Sequence, residues 1–380
     1  MASFDIVVVG CGGGPSENNL SSYFVKAYGS SWEDGILSLD AGSGLGALSQ
    51  LLDRHPGLFD SAPADDTLAR DNVQERGNDS SSYQRASQVY SFIRTFLITH
   101  AHMDHICGLV LGAGSQGGPV RNIVAIESVI VTLEGVFNGR LWPRLAVRQS
   151  EPAPNSFYRY KPIATNELYI SVAPNLSARA MPITHGSCSQ AAGGVYDSSA
   201  FFVRNDTTSR EFLFFGDVEP DSISAKPRTR NVWRVAARKI LASQLDTIFL
   251  ECSWKNGRPR ELLFGHLSPA HVVEELSALA TEIVLAQAPP PLLPTRLAST
   301  LSFLGFRAIQ PTLSRVPCKQ LEGVLRGLTL VIIHCKEVLE PLPPGQKINH
   351  VIAQEVKHLV DTARLGISVV AADQGMHLRI

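Results

Sequence analysis

The stretch FLITHAHMDHICGL, residues 96–109, gathers His100, His102, Asp104 and His105 within six positions, directly after the apolar run Phe96, Leu97, Ile98. The whole chain holds eleven histidines, so three in one short segment mark a site and not background composition. Apolar β-formers followed by polar ligands read as a buried strand ending in a loop, the place where a rigid sheet presents reactive groups. Extended residues i and i+2 point the same way, so His100 and His102 can grip one ion. MDHICGLVLG then spaces its apolar side chains helically, and a chain turning into a helix there can aim Asp104 and His105 at a second ion. Four ligands this close in sequence suit two adjacent sites better than one tetrahedral site.

Two ions need more donors than this loop supplies. Three other places repeat an apolar strand that ends in a ligand beside glycine: MPITHG with His185, FLFFGD with Asp217 and ELLFGH with His266. A lone histidine in such a setting is more often a satisfied core residue. Three such strand ends beside the cluster favour a metal centre. Asp40 closes the strand GILSLD. It reads either as a carboxylate that orients a ligand or as a turn carboxylate capping AGSG. Ser187, Glu251, Ser253 and His334 lie at or near strand ends, and His271 lies on the helix after GHLSP; these are weaker candidates for substrate contact.

The 380 residues are 44% hydrophobic and 18% charged with a net charge of −1, which suits a globular protein and gives no footing to a polyanionic partner. The basic run RTRNVWRVAARK, residues 228–239, reads as the solvated face of an amphipathic helix. Six scattered cysteines without a CxxC pair read as reduced and structural in a cytoplasmic protein. MASFDIVVVG carries Asp5 where a signal peptide is apolar, and no run nears the ~18 apolar residues that span a membrane. Gly10 and Gly12 fit the start of GxGxxG, but Pro15 takes the third place and a β-like segment follows, so a tight strand-to-strand connection is expected. GAGSQGG misses GxSxG because Ala113 occupies its first glycine position, and Cys107 sits among apolar helical neighbours as a core residue.

Strands are expected at FDIVVVG, LSSYFVKA, GILSLD, ELYISVAP, ARAMPITH, SAFFVRN, REFLFFGD, DTIFLEC, TEIVLAQ, LTLVIIHC and ISVVAAD. Helices are expected at NVWRVAARKILASQ, at SPAHVVEELSALA with Ser268 as N-cap and Pro269 first, and at NHVIAQEVKHLVDTARLG with Gly366 as its stop. The pattern is β-rich segments followed by helices, twice over. It predicts one domain over residues 1–380, with two sheets face to face, helices outside and a polar surface insertion at about 60–88.

HxHxDH followed by aspartate and histidine at separate strand ends resembles the metallo-β-lactamase superfamily. The finer likeness is to its class II cyclic nucleotide phosphodiesterases. It rests on THAHMDHICGL, on GHLSP at 265–269, on GGGPSENNLSSY at 12–23 and on VIIHCK at 331–336. Met103 stands where that family usually has leucine, and GAGSQGG departs from its signature. The resemblance implies an α/β fold, the metallo-β-lactamase-like αβ/βα sandwich of two mixed β-sheets with helices on the outer faces. It implies two zinc ions per chain, one on His100, His102 and His185 and the other on Asp104, His105 and His266, with Asp217 as the bridge. Asp104 and Asp217 then carry catalytic roles through the metals. Two ions ~3.5–4 Å apart lower the pKa of a shared water and neutralise phosphate charge. The implied reaction is hydrolysis of the 3′ phosphoester of cAMP and/or cGMP to the 5′-nucleotide by the hydroxide so formed. The implied partner is a small cyclic nucleotide, with no nucleic acid and no membrane; oligomeric state is open, a homodimer included. Other readings are a tRNA 3′-processing endonuclease, a thioester or lactam hydrolase of the same superfamily, and a non-catalytic scaffold. The first wants a basic or Gly/Pro-rich arm, and the last would have shed ligands.

Overall fold

The computed structural model describes residues 2–60, 81–115, 117–148, 156–191, 193–287, 316–338 and 341–380. In chain order, the first sheet takes β1 (Phe4–Gly10), β2 (Ser22–Ala27), β3 (Ile36–Leu39), β4 (Ile93–Leu97), β5 (Arg121–Ala125), β6 (Ala146–Arg148) and β7 (Tyr158–Pro162). The second takes β8 (Ile170–Ala173), β9 (Leu176–Ser187), β10 (Val195–Asn205), β11 (Glu211–Phe215), β12 (Leu245–Glu251), β13 (Thr329–Ile333) and β14 (Ser368–Ala371). The last strand, β15 (His377–Arg379), returns to the first sheet, whose order is β15-β1-β2-β3-β4-β5-β7-β6; the second runs β14-β13-β12-β11-β10-β9-β8. Both are mixed: β3, β4 and β5 run parallel, as do β11 to β14, while β1/β2/β3 and β8/β9/β10/β11 are antiparallel.

The sheets meet through aromatic side chains. Phe4 packs edge-on against Phe212 at 4.9 Å between ring centres, and Tyr23 against Phe214 at 5.1 Å. The outer face of the second sheet is covered by α5 (Thr229–Leu241), α6 (Pro269–Gln287) and α7 (Ile348–Thr362), which share one apolar cluster with β11, β12 and β13. On the first sheet lie α1 (Leu45–Arg54), α2 (Ser82–Ser91), α3 (Met103–Gly112) and α4 (Glu127–Val136).

Several expectations need correction. ELLFGH is not a strand: Arg260–Leu262 form a 3₁₀ turn, and Phe264 and Gly265 after it are left-handed. TEIVLAQ is not a strand but the last two turns of α6. Val272, Leu276, Leu279, Ala280 and Ile283 are all buried, one helical stripe that continues past the point where a strand was read. Of the insertion read at 60–88, residues 61–80 lie outside the described residues, and 82–88 belong to α2, which opens on a capping box at Ser81 and Gln84. The helices α1 and α4 and the strands β5, β6, β7 and β15 were not read at all. The basic run of 228–239 does form the amphipathic α5. Arg228 pairs with Asp197, Arg230 and Arg234 with Glu282, and Lys239 with Glu211.

Because β3, β4, β11, β12 and β13 are parallel within their sheets, their carboxyl ends gather at one edge of the sandwich. Asp40, His100, Asp217, Glu251 and His334 all sit at those ends.

Candidate metal centre

His100 leaves the end of β4 fully buried, and His102 is the N-cap residue of α3, whose first turn carries Asp104 and His105. The α3 start is held down by the loop after Asp40: the Ala41 N–H donates to the His105 carbonyl at 2.8 Å, and the Gly108 N–H to that of Gly42 at 3.0 Å. Gly42 packs so closely on the Asp104 carbonyl that any Cβ there would clash with backbone.

The imidazoles are each fixed at one nitrogen. His105 Nδ1 faces Asp40 Oδ2 at 2.7 Å, His100 Nδ1 faces Thr99 Oγ1 at 3.1 Å, and His185 Nδ1 faces the Gly265 carbonyl at 2.9 Å. His334 Nδ1 faces Ser253 Oγ at 3.1 Å. The Nε2 atoms of all four then point inward. Asp40 is itself held by the Thr99 N–H at 2.9 Å and the Ser21 hydroxyl at 3.0 Å, so it orients His105 and does not cap the AGSG turn.

The inward donors fall into two sets. In the first, His102 Nδ1 lies 3.1 Å from His100 Nε2 and 3.2 Å from His185 Nε2, and Asp217 Oδ2 lies 3.5 and 3.6 Å from those same Nε2 atoms. In the second, His334 Nε2 lies 3.0 Å from His105 Nε2, 3.2 Å from Asp104 Oδ2 and 3.3 Å from Asp217 Oδ1; His105 Nε2 is also 3.3 Å from Asp217 Oδ1. Donors bound ~2.0–2.2 Å from one tetrahedral zinc lie roughly 3.3–3.6 Å apart, and the separations here, from 3.0 Å to the 3.9 Å between His105 Nε2 and Asp104 Oδ2, bracket that spacing. Asp217 gives one oxygen to each.

The electrostatics of His100, His185 and Asp217 agree with donor roles, whereas the carboxylates around His105 hold it toward its protonated form. Burial drives His100 well below the usual imidazole range, and His185 down to about 3, so their Nε2 lone pairs are free. Burial also disfavours charge on His105, but Asp217, Asp40 and Asp104 outweigh it and raise its pKa. Burial alone would raise Asp217; His334, His105 and His100 around it reverse the sign and keep it a carboxylate.

One expected partner is displaced. His334, and not His266, completes the set of Asp104, His105 and Asp217. His266 turns Nδ1 to Glu251 Oε1 at 3.0 Å and lies 3.7 Å from Asp217 Oδ2 by that same nitrogen. Glu251 is fully buried and also accepts from the Val218 N–H at 2.9 Å and the Ser253 hydroxyl at 2.8 Å. Ser253 thereby links His334 Nδ1 to Glu251. Two weaker candidates make no contact with the donor sets among the described hydrogen bonds. Ser187 is exposed at the end of β9, and His271 bonds Ser268 Oγ at 2.9 Å on α6.

Two residues at the centre were not anticipated. Tyr196, on β10, stacks on His102 with ring centres 4.3 Å apart and planes 25° apart. Nothing in VYDSS marks it as different from any strand tyrosine. The one signal for Thr99 is its place immediately before His100.

A family model described as cAMP phosphodiesterases class-II matches residues 36–375 of the chain. A 3′,5′-cyclic-nucleotide phosphodiesterase of Schizosaccharomyces pombe is 36% identical over 280 residues, covering 73% of this chain and 75% of the relative. Among solved structures, unliganded yeast PDE1 superposes with a TM-score of 0.75 at 22% identity, covering 100% of both chains. The metallo-beta-lactamase fold protein YhfI from Bacillus subtilis superposes with a TM-score of 0.51 at 13% identity, covering 99% of both. The two mixed sheets with outer helices are therefore a metallo-β-lactamase fold.

Proposed function

This chain belongs to the class-II cAMP phosphodiesterase family, and from that premise we propose that it hydrolyses the 3′ phosphoester of cAMP and cGMP to the 5′-nucleotide at a two-zinc centre. The observation that carries the reading is the division of Asp217, with Oδ2 among His100 and His185 and Oδ1 among His105 and His334. His100, His102, His185 and Asp217 would hold one ion; Asp104, His105, His334 and Asp217 the other. Two bound cations would supply Lewis acidity, lowering the pKa of a water between them and offsetting charge on the phosphate.

The chain's own residues do the rest. Thr99, Gly265, Asp40 and Ser253 fix the ring orientation of four histidines, so no donor has to reorganise when substrate arrives. His266 is the proposed proton donor to the departing 3′-oxygen. Its Nδ1–H is held by Glu251, which stays ionised because His266 beside it outweighs the rise that burial would cause. The carboxylate stabilises the imidazolium, and Nε2 delivers the proton. The 3′-oxygen remains on the ribose, so one product forms. The expected setting is cytoplasmic turnover of a signalling nucleotide; among the described residues no helix is long and apolar enough to cross a membrane.

The test is product analysis with zinc-loaded protein, offered cAMP, cGMP and a short RNA in isotopically labelled water. The 5′-monophosphate with label on phosphorus is expected, at a rate weakly dependent on salt because few phosphates are contacted. A 3′-monophosphate, or preference for RNA with a steep salt dependence, overturns the reading.

A further inference from the structure

Beside His266 the chain exposes an aromatic and cationic surface that the metal chemistry does not use. Phe264 is 64% exposed, yet its backbone is left-handed, φ 53°, a conformation that costs a bulky side chain and suits glycine. The next residue, Gly265, is also left-handed at φ 79°, and a Cβ there would press on Gly186 and His185 Nδ1. The glycine serves the centre by letting the turn approach His185. The phenylalanine lies mostly in solvent at the end of a strained turn.

Its surroundings are arranged for a flat ligand. Trp254 stands edge-to-face with His266, ring centres 6.4 Å apart, and its Nε1–H is tied to the Leu263 carbonyl at 3.0 Å. The Arg258 guanidinium lies on the Trp254 ring, 3.5 Å from its centre, and 6.0 Å from the centre of Phe264. Among the described residues Arg258 has no carboxylate partner; its Nε donates to the Leu262 carbonyl at 2.6 Å, and its terminal nitrogens remain for acceptors. Lys336 reaches the same tryptophan from elsewhere, 5.9 Å from the ring centre, and is held by the Gly13 carbonyl at 2.8 Å without a carboxylate among the described residues. An exposed ring, a planar cation braced on an indole and a second unneutralised cation therefore sit next to the proposed proton donor.

We propose that the segment from Trp254 to His266 is the nucleobase subsite of this centre, with Phe264 stacking on the purine and Arg258 at the acceptor edge of the base. The inference rests on the cyclic-nucleotide reading above and adds what holds the base. A purine offers a π-face to any aromatic ring, and base–aromatic stacking removed by truncation costs roughly tenfold to a hundredfold in affinity. Ring nitrogens on its edge, and in guanine the O6 carbonyl as well, accept from a guanidinium. Because the base lies away from phosphorus, the stack holds substrate before and during the reaction alike, and its loss should appear in KM.

The experiment compares wild type, Phe264→Gly and Phe264→Tyr, all zinc-loaded. Glycine is chosen because it takes φ 53° freely, so loss of the ring is separated from misfolding. In Phe264→Gly the KM for cAMP is expected to rise roughly tenfold to a hundredfold, with kcat changed far less. In calorimetric titration the advantage of 5′-AMP over ribose 5-phosphate, which has no base, should shrink by the same factor. Phe264→Tyr should stay within about threefold of wild type. Equal losses for 5′-AMP and ribose 5-phosphate, or an unchanged KM, overturn the subsite. Wild-type protein that leaves cAMP and cGMP intact sinks the phosphodiesterase reading and this inference together; wild-type turnover with a wild-type KM in Phe264→Gly sinks this inference alone.

Discussion

Asp217 is the residue on which the two donor sets converge, and its neighbours show why one carboxylate outweighs another. Removing it strips an oxygen from each set and leaves His100, His102 and His185 with no carboxylate in their set, whereas of the donor residues Asp40 touches only His105, from behind. Asp217→Ala is therefore expected to lose bound zinc and turnover together. Asp40→Asn should keep most metal and cost about 10–100-fold, the range typical of partners that orient a ligand. Metal analysis and kcat on the same preparations check both, and an Asp217→Ala protein with two zinc ions and normal rate would refute the bridge. The cluster His100–His105 was legible because strand and helix periodicity alone fix where those side chains can point. The choice between His266 and His334 was not. Both stand after apolar runs in the sequence, and only the fold shows that the run before His266 is a 3₁₀ turn, that Glu251 claims Nδ1 of the first, and that Ser253 holds Nδ1 of the second so that its Nε2 faces Asp104.

Elements place these residues through a few close approaches. The loop after β3 lies on α3 because Gly42 meets the Asp104 carbonyl and Gly108 meets Gly44, backbone to backbone. A methyl at Gly42 must push the loop off the helix, and Asp40 moves with it. Gly42→Ala is expected to cost about 1–3 kcal/mol in urea unfolding and to weaken zinc retention, since overpacking of this kind cannot relax; unchanged unfolding and zinc content would show that the loop has slack. At the other end of the first sheet, Asp5 fastens β15 to β1 and β2, with Lys26 at 2.5 Å and His377 at 2.9 Å. Burial alone raises its pKa, but the His377 and Lys26 hydrogen bonds prevail and hold it at about 2, against an ordinary 3.8. A folded pKa below the unfolded one stabilises above the unfolded value, so this contribution is complete above about pH 4 and fades as pH falls toward 2. Unfolding midpoints across that window should slope in wild type and less in Asp5→Asn. This strand went unread for a physical reason: three half-exposed residues carry no period, and their pairing partner lies at the far end of the chain. The end of α6 differs from expectation for another reason, because a short apolar run looks alike as helix or strand until its neighbours are known.

At the scale of the molecule, the centre lies on the seam between the sheets. His100, His102, Asp104 and His105 follow β4 of the first sheet, whereas His185, Asp217 and His334 belong to the ends of β9, β11 and β13 of the second. Each proposed ion would thus tie one sheet to the other, and it can do so only in the folded state. A ligand that binds only the folded chain stabilises it by about 2.7 kcal/mol at a free concentration of 100 Kd, so zinc should raise the unfolding temperature by a few degrees and chelation should remove that gain. Since donors of both sheets are needed for each set, His185→Ala and His334→Ala should each forfeit part of the zinc-dependent shift, although one lies in the first set and the other in the second. Calorimetric unfolding of the wild type and both variants, each with zinc and with chelator, measures this directly. A wild-type unfolding temperature indifferent to chelator, in protein shown by elemental analysis to carry zinc beforehand, would mean that the ions do not span the seam.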